Sequence, residues 1–259
     1  MTMRSGFFLA MAALLMGSPP GFAADDVLKA IKERGVLRAC NAEYLPWNQR
    51  DPATNTWIGA NVDIGEEIAQ QLKVKLEHVD ATFATLLPSL VTGKCDMSLA
   101  AVWITPARAE IVTFTQPYAQ DGISVFILNS GNAASLDEID QSGKTIVARA
   151  GGADEALARR TFKRATVKAL TADRAGVALL EVASGRADAA MGGYYGNLAF
   201  LKANPNVGVK PLPNVLLAPS PIALAVAPKE YFFRDYINAA LSNLEATGKL
   251  KIIVDKWTK

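Results

Sequence analysis

One phrase occurs twice in this chain, and it narrows the available folds more than any other feature. Leu86-Leu87-Pro88-Ser89-Leu90-Val91-Thr92-Gly93-Lys94-Cys95-Asp96-Met97-Ser98 is echoed by Ala178-Leu179-Leu180-Glu181-Val182-Ala183-Ser184-Gly185-Arg186-Ala187-Asp188-Ala189-Ala190. In each copy a helix ends at a glycine suited to a left-handed C-cap, a cation follows at the negative helix end, and an aspartate leads into a strand. A second pair supports the duplication. Gly35-Val36-Leu37-Arg38-Ala39 and Gly143-Lys144-Thr145-Ile146-Val147-Ala148 each start a strand after a polar helix or turn. Between these landmarks, short β-branched or apolar runs alternate with amphipathic helices, the pattern of an α/β protein. The expected architecture is two similarly built lobes, each a mostly parallel sheet flanked by helices.

The chain has 259 residues, half of them hydrophobic, which excludes disorder and collagen. Its 27 basic and 25 acidic residues leave a net charge of +2, too little for the basic stripe that phosphate neutralisation demands, so no nucleic-acid partner is expected. Cys40, His78 and Cys95 are scattered without CxxC or HExxH spacing, so neither a zinc site nor any other cofactor is expected. No GxSxG occurs and neither cysteine has a histidine in motif context, so nucleophilic catalysis has no visible apparatus. His78 reads as a surface or half-buried strand residue.

The N-terminal run carries Arg4, an apolar stretch from Phe7 to Met16, and the helix breakers Gly17, Pro19 and Pro20. Small residues at Gly21 and Ala23 flank Phe22, which predicts a cleavable export signal over residues 1–23 with cleavage after Ala23. The stretch is shorter than the about 20 residues that span a bilayer. Export permits a disulfide, but the strand-like runs ending at Cys40 and beginning at Cys95 argue against one. Parallel in one sheet, they would hold the sulfurs ~13 to 17 Å apart at about 3.3 Å per residue, beyond the ~7 Å Cα limit for a bridge. Two free, largely buried thiols are expected.

Open parallel sheets bind ligands beyond the carboxyl ends of their strands. Four loops hold such positions: residues 41–47, 101–108, 149–154 and 192–197. Polar, turn-rich residues 129–140 and the four prolines within 211–221 read as segments flanking crossovers between lobes. In the second loop, Thr105 is placed to cap a helix with Pro106 at its first position. Arg108 then lies beside unpaired helix amides, which favours a carboxylate or phosphate. The plain alternative is a solvated arginine making an ion pair with Glu110 or a neighbour. Gly151, Gly152 and Ala153 follow a strand and open a helix, so their amides offer an anion cradle or merely a turn. Tyr44, Trp47, Trp103, Tyr194 and Tyr195 cluster in loops; aromatics there either seal a domain edge or form an apolar floor for a ligand.

Taken in order, these residues resemble the extracytoplasmic solute-binding proteins of polar amino-acid ABC importers, the family 3 group with the type II periplasmic binding fold. The resemblance rests on Gly35-Val36-Leu37-Arg38, Tyr44-Leu45-Pro46-Trp47, the helix from Gly59 to Ala69 and the run from Leu87 to Asp96. It continues through Ile104-Thr105-Pro106-x-Arg108, Phe114-Thr115-x-Pro117-Tyr118 and Gly185-Arg186-Ala187-Asp188-Ala189. It implies a discontinuous lobe of residues 24–119 and 220–259, an inserted lobe of 120–219, and hinge closure over a small carboxylate. Arg108 would clamp the ligand carboxylate, Tyr44 would cover it, and the turn of Gly151, Gly152 and Ala153 would add backbone contacts. The further implications are a monomeric periplasmic protein and an inner-membrane ABC permease as partner.

The chain departs from the family pattern at three places. Gly193, followed by Tyr194, stands where an aspartate usually pairs with the ligand ammonium. Ala100, Ala101 and Trp103 replace small hydroxyl residues, and Asn41 stands where an acidic residue is frequent. An ammonium buried without a carboxylate costs several kcal/mol. These departures favour a carboxylate without an amino group, or a bulky or aromatic acid, unless Glu43, Asp121 or Asp154 supplies the missing charge. The expected function is solute capture rather than catalysis. The alternatives are a periplasmic enzyme resembling cyclohexadienyl dehydratases, which needs a positioned acid, and a ligand-sensing domain.

Overall fold

A computed structural model describes residues 27–151, 153–171 and 176–258. The expected export signal and its cleavage after Ala23 lie outside the described residues. Helix α1 (Val27–Arg34) leads into β1 (Val36–Asn41), followed by the hairpin of β2 (Gln49–Arg50) and β3 (Trp57–Ile58). Next come α2 (Ala60–Leu72), β4 (Lys75–Asp80), α3 (Phe83–Val91), β5 (Met97–Ser98), β6 (Val102–Trp103), α4 (Pro106–Ala109) and β7 (Thr113–Phe114). The long strand β8 (Ala119–Leu128) precedes α5 (Leu136–Ile139), β9 (Thr145–Arg149), α6 (Ala153–Thr161), β10 (Thr166–Leu170), α7 (Val177–Ala183), β11 (Ala189–Gly193) and α8 (Tyr194–Ala203). The chain closes with β12 (Val209–Pro211), β13 (Leu217–Ala223), β14 (Ala225–Val226), α9 (Tyr231–Ala246) and α10 (Lys249–Thr258).

Two larger sheets result. The first runs β4-β1-β5-β14-β7 and the second β10-β9-β11-β8-β13-β6, with β12 also paired to β8. The expected parallel arrangement holds for β4-β1-β5 and for β10-β9-β11, while antiparallel strands complete each sheet. The two parallel halves correspond to the two copies of the repeated phrase, and their aspartates do the same work. Asp96 accepts the Arg38 amide on Oδ2 at 2.8 Å and returns its own amide to the Arg38 carbonyl at 2.9 Å. Asp188 accepts the Thr145 amide at 2.8 Å and returns its amide to the Thr145 carbonyl at 2.9 Å. Each aspartate also takes a cation near the start of the strand it clamps, Arg38 in β1 and Lys144 just before β9, and Asp96 adds Arg34.

Helix α2 shows how the apolar pattern becomes packing. Ala60, Ile64, Ile68 and Leu72 recur every fourth residue, lie on one face and are all buried. Its N-cap is Gly59, at a φ of 136°, where a Cβ would overlap the Trp47 carbonyl, so both backbone conformation and space demand glycine. The core of the first sheet joins α2 to Ile31 of α1, to Ile237 and Leu241 of α9 and to Ile253 of α10. The second sheet is covered on its two faces by separate clusters, one with Ile146 and Phe162, the other with Phe126 and Leu179. Trp103 packs against the cores of both sheets.

The expectation of free thiols is corrected. Cys40 and Cys95 are bonded to each other, with Cα atoms 5.7 Å apart. The strand ruler failed because β5 starts only at Met97, and the chain bends at Lys94 and Asp96 rather than running straight from Cys95. Both cysteines sit in one apolar cluster with Leu86 and Leu90.

The two aspartates differ in burial, with side-chain exposures of 5% for Asp96 and 35% for Asp188. Asp96→Ala strands two guanidinium groups and a strand amide and should cost about 3 kcal/mol of unfolding free energy. Asp188→Ala, exposed to water that replaces its partners, should cost about 1 kcal/mol. Urea unfolding midpoints check both values, and equal losses would refute the role of burial.

Candidate functional site

The site is built where loops leave the carboxyl ends of β1, β6, β9 and β11. Arg108 lies in α4, a single turn started by Thr105, whose Oγ1 accepts the Arg108 amide at 3.3 Å, and by Pro106 at the first position. Arg108 Nη1 donates to the Trp103 carbonyl at 3.0 Å, which aims the guanidinium back toward β6. The residue is half-buried, and burial alone lowers its pKa from the ordinary arginine value. The other half-buried arginines, Arg38, Arg50 and Arg234, each have an aspartate. Among the described residues Arg108 has no acidic partner, so the expected alternative of a pair with Glu110 is not realised.

Tyr44 follows β1 in a tight turn closed by its bridge to Asn48. Its ring meets Phe83 edge-on at 6.0 Å, and its hydroxyl donates to Asp121 Oδ2 at 2.7 Å. Asp121 opens β8, is fully buried, and takes the Gly122 amide on Oδ1 at 2.7 Å. The indole Nε1 of Trp47 and the main-chain amide of Tyr195 also lie toward this carboxylate, although the indole closes no hydrogen bond. Burial raises the Asp121 pKa against the pull of these donors. Burial, followed by the negative charge of Asp121, pushes the Tyr44 phenol well above its ordinary value. Gly193, at the N-cap of α8, closes the second lobe's side: a Cβ there would lie 3.3 Å from Tyr44 Oη. Asp154 and Arg149, 3.8 Å apart, are near enough for their charges to act on Tyr44, and burial raises the Asp154 pKa.

Three expected lining residues turn out to lie beneath the site. Asn41 is fully buried, with its amide donating to the Ala39 carbonyl at 2.9 Å and to His78 Nδ1 at 3.0 Å. Its carbonyl accepts from Asn48, Asn48 accepts from Asn61, and Tyr118 donates to Asn61, giving a chain of buried polar groups under the first loop. Asn41 is therefore a support, not a ligand contact. Trp47 is likewise fully buried, edge-on to Tyr118 at 6.2 Å and to Tyr195 at 5.6 Å, and Ala101 is core. His78 is half-buried as expected, and burial lowers its pKa, in keeping with an unprotonated Nδ1 that accepts from Asn41.

Around the second lobe's first turn, Gly151 has a φ of 70° and gives its amide to Glu155 Oε2 at 2.9 Å. That amide is taken, so it does not serve the expected anion cradle. Ala153 is exposed at the start of α6, and Gly152 lies outside the described residues. Tyr194 is half-buried against the second sheet's core and edge-on to Tyr195 at 5.1 Å. The structure thus gathers Tyr44 and Gly193 beside Asp121, with the charge of Asp154 within reach of Tyr44, and Trp103 and Arg108 beside β13. Asp121 belongs to no motif; its signal in the sequence is that it is the one acidic residue of β8.

Residues 36–259 match the family model of bacterial extracellular solute-binding proteins, family 3. The chain is 28% identical over 261 residues to an L-arginine-binding protein of Pseudomonas aeruginosa, covering 98% of this chain and 96% of that protein. It is 31% identical over 162 residues to a cyclohexadienyl dehydratase of the same species, covering 61% of this chain and 60% of that enzyme. A probable amino-acid ABC transporter periplasmic-binding protein of Sinorhizobium fredii is also matched over only 60% of its length. Among solved structures, an ancestral cationic amino acid solute binding protein superposes with a TM-score of 0.77 at 25% identity, covering 90% of this chain and 100% of that one. A binding component of an ABC transporter from Wolinella succinogenes, complexed with lysine, superposes at 0.74 with 28% identity, covering 87% and 96%.

The raised Asp121 pKa has a signed consequence. A folded-state value above the unfolded one means that the folded protein holds the extra proton between the two, so this group's contribution to stability falls as pH rises through that window. Asp121→Asn cannot ionise and keeps an acceptor for Tyr44. Its melting midpoint should exceed the parent's by more at about pH 7 than at about pH 4, and a pH-independent difference in thermal scans would contradict the buried charge.

Proposed function

Because the chain belongs to the bacterial extracellular solute-binding proteins of family 3 and has their two-lobed type II periplasmic fold, we propose that it captures a small carboxylate-bearing solute between its lobes. One observation carries this reading: Arg108, half-buried at the head of the β6 loop, has no acidic partner among the described residues. A desolvated guanidinium with free donors is matched by a carboxylate in bidentate geometry. The lobes are residues 24–119 with 220–259, and 120–219, joined through the ribbon of β6, β8 and β13. Closing them over the solute excludes water and strengthens each polar contact inside.

The solute would then pass to an inner-membrane ABC permease, the kind of partner that relatives named as ABC-transporter binding proteins serve. A periplasmic location, reached with an export signal cleaved after Ala23, agrees with the Cys40–Cys95 bond, because such bonds persist in oxidising compartments. The arginine-binding and lysine-bound relatives point to amino acids as the first solutes to try. A second reading, dehydration of a cyclic acid, is favoured by Asp121 and Asp154, two carboxyls held by burial above their ordinary range near Tyr44, as a general acid must be.

A thermal-shift screen of L-amino acids and simple carboxylates identifies solutes, since a molecule that binds only the folded state raises the melting midpoint. Arg108→Ala should weaken binding of any solute so found at least about a hundredfold by calorimetry, some 2.7 kcal/mol, with the melting midpoint of the free protein unchanged. Retained affinity would remove the carboxylate clamp. Incubation with prephenate should yield no phenylpyruvate; its appearance would replace solute capture with the enzyme reading.

A further inference from the structure

A line of hydrogen-bonded side chains runs beneath the Tyr44 turn and ends at the chain's one histidine. The Tyr118 hydroxyl donates to Asn61, Asn61 Nδ2 to Asn48 Oδ1 at 2.7 Å, Asn48 Nδ2 to Asn41 Oδ1 at 3.0 Å, and Asn41 Nδ2 to His78 Nδ1 at 3.0 Å. Asn41, Asn48 and Asn61 are fully buried, so bulk water does not replace a lost partner. Carboxamides could face either way in such a line, and one main-chain group decides which. Asn41 Nδ2 also lies 2.9 Å from the Ala39 carbonyl, which has no proton and admits only a donor. Turning that amide round would set two oxygens against each other and reverse every bond as far as Tyr118. The direction is therefore fixed by the network, and His78 Nδ1 must accept. A proton on that nitrogen would face the Asn41 donor with no lone pair between them.

The line reaches the site through Asn48. Its main chain closes the turn, accepting the Tyr44 amide at 2.8 Å and donating to the Tyr44 carbonyl at 3.0 Å, while its side chain is held between Asn41 and Asn61. The charges acting on His78 are Arg50 of β2, which opposes protonation, and Asp80 of its own strand, which favours it. Asp80 is itself engaged by Arg50 and by the Trp57 indole at 2.8 Å, and β1 sets Ala39 beside His78 in the ladder. Burial, followed by Arg50, lowers the His78 pKa. The neutral ring therefore contributes stability that is present above the ordinary histidine value and is lost as pH falls through the window below it.

We propose that His78 is a positioning residue for solute capture: its unprotonated Nδ1 anchors the line of Asn41, Asn48 and Asn61 that holds the Tyr44 turn, and a proton on that atom slackens the turn. The inference rests on the carboxylate-capture reading, in which Tyr44 covers the solute, and adds a control to it. Half-buried His78 takes up the proton, and the turn beyond three buried asparagines responds. The result is a cleft that holds its solute less tightly in mildly acidic surroundings.

The test follows exchange of the Tyr44 amide, corrected for its intrinsic rate, and the imidazole signals of the single histidine by nuclear magnetic resonance. In the parent, Tyr44 protection should fall at least about tenfold between about pH 7.5 and about pH 5, with the midpoint of the ring's own titration. His78→Asn offers an amide oxygen in place of Nδ1 and does not titrate, so its Tyr44 protection should change less than about twofold over the same range. His78→Ala should be poorly protected at both pH values. Protection that ignores the ring's midpoint overturns the proposal, and that comparison needs only the parent should a variant fail to fold. A fall that persists in His78→Asn overturns it too. L-arginine, L-lysine, L-glutamine and L-phenylalanine are then titrated calorimetrically, and the parent's affinity for any that binds should drop at least about tenfold over that range, against less than about twofold for His78→Asn. Protection that follows the ring while affinity does not overturns the positioning role alone. If none of the four binds the parent, the carboxylate-capture reading falls, and the positioning role with it.

Discussion

The reciprocal main-chain clamp made by Asp96 on Arg38, and again by Asp188 on Thr145, is the constraint on which the rest depends. It fixes which residue of the returning strand lies beside β1 in one sheet and beside β9 in the other. A slip of one residue would turn every apolar side chain of that strand to the opposite face, so the clamp and the core enforce the same register. With Ala39 beside Met97 and Ala189 beside Ile146, the carboxyl ends of the strands come level in each sheet, and the loops that carry Tyr44, Trp103 and Gly193 emerge at matching heights. The repeated glycine, cation and aspartate are therefore scaffold. They position the site without belonging to it.

The lobes are coupled by pairing rather than by a loose linker. Ile222 of β13 lies opposite Ala119 of β8 on one side and Trp103 of β6 on the other, and Trp103 packs on both cores. That ribbon holds the two unpaired charges in a fixed relation: Arg108 bonds to the Trp103 carbonyl, and Asp121 stands in β8 opposite Ser220. Titratable groups with burial but no counter-charge are characteristic of functional sites, because a stable scaffold gains nothing from them. Here there are two of opposite sign, Arg108 and Asp121.

Much of this was legible from residue order. The duplication gave the two lobes, alternation gave the α/β class, and the Thr105-Pro106 helix start singled out Arg108. What failed did so for local physical reasons. The Cys40–Cys95 bond depends on a bend at Lys94 and Asp96 that no strand ruler contains. Asn41 and Trp47 sit in a cleft loop by sequence, yet Asn41 is the buried end of β1, bonded to Asn48, and the tight turn from Tyr44 to Asn48 folds Trp47 into the core. Gly151 looked like an anion cradle, but Glu155 four residues on takes its amide. Asp121 belongs to no motif. Its meaning comes from what does not surround it, and sequence cannot report that.

The placement of the two charges also bears on the division of labour between lobes. Tyr44 and Arg108 belong to residues 24–119, whereas Asp121 and Gly193 belong to 120–219, so the corner around the Tyr44 hydroxyl is made by both lobes. Beyond Asp121, what the second lobe brings to this corner is Gly193, with no side chain, and the aromatic pair Tyr194 and Tyr195. Those groups add little recognition but displace water. In a drier cleft the same two charges act across a lower effective dielectric, and their attraction for the solute grows severalfold without any new polar contact.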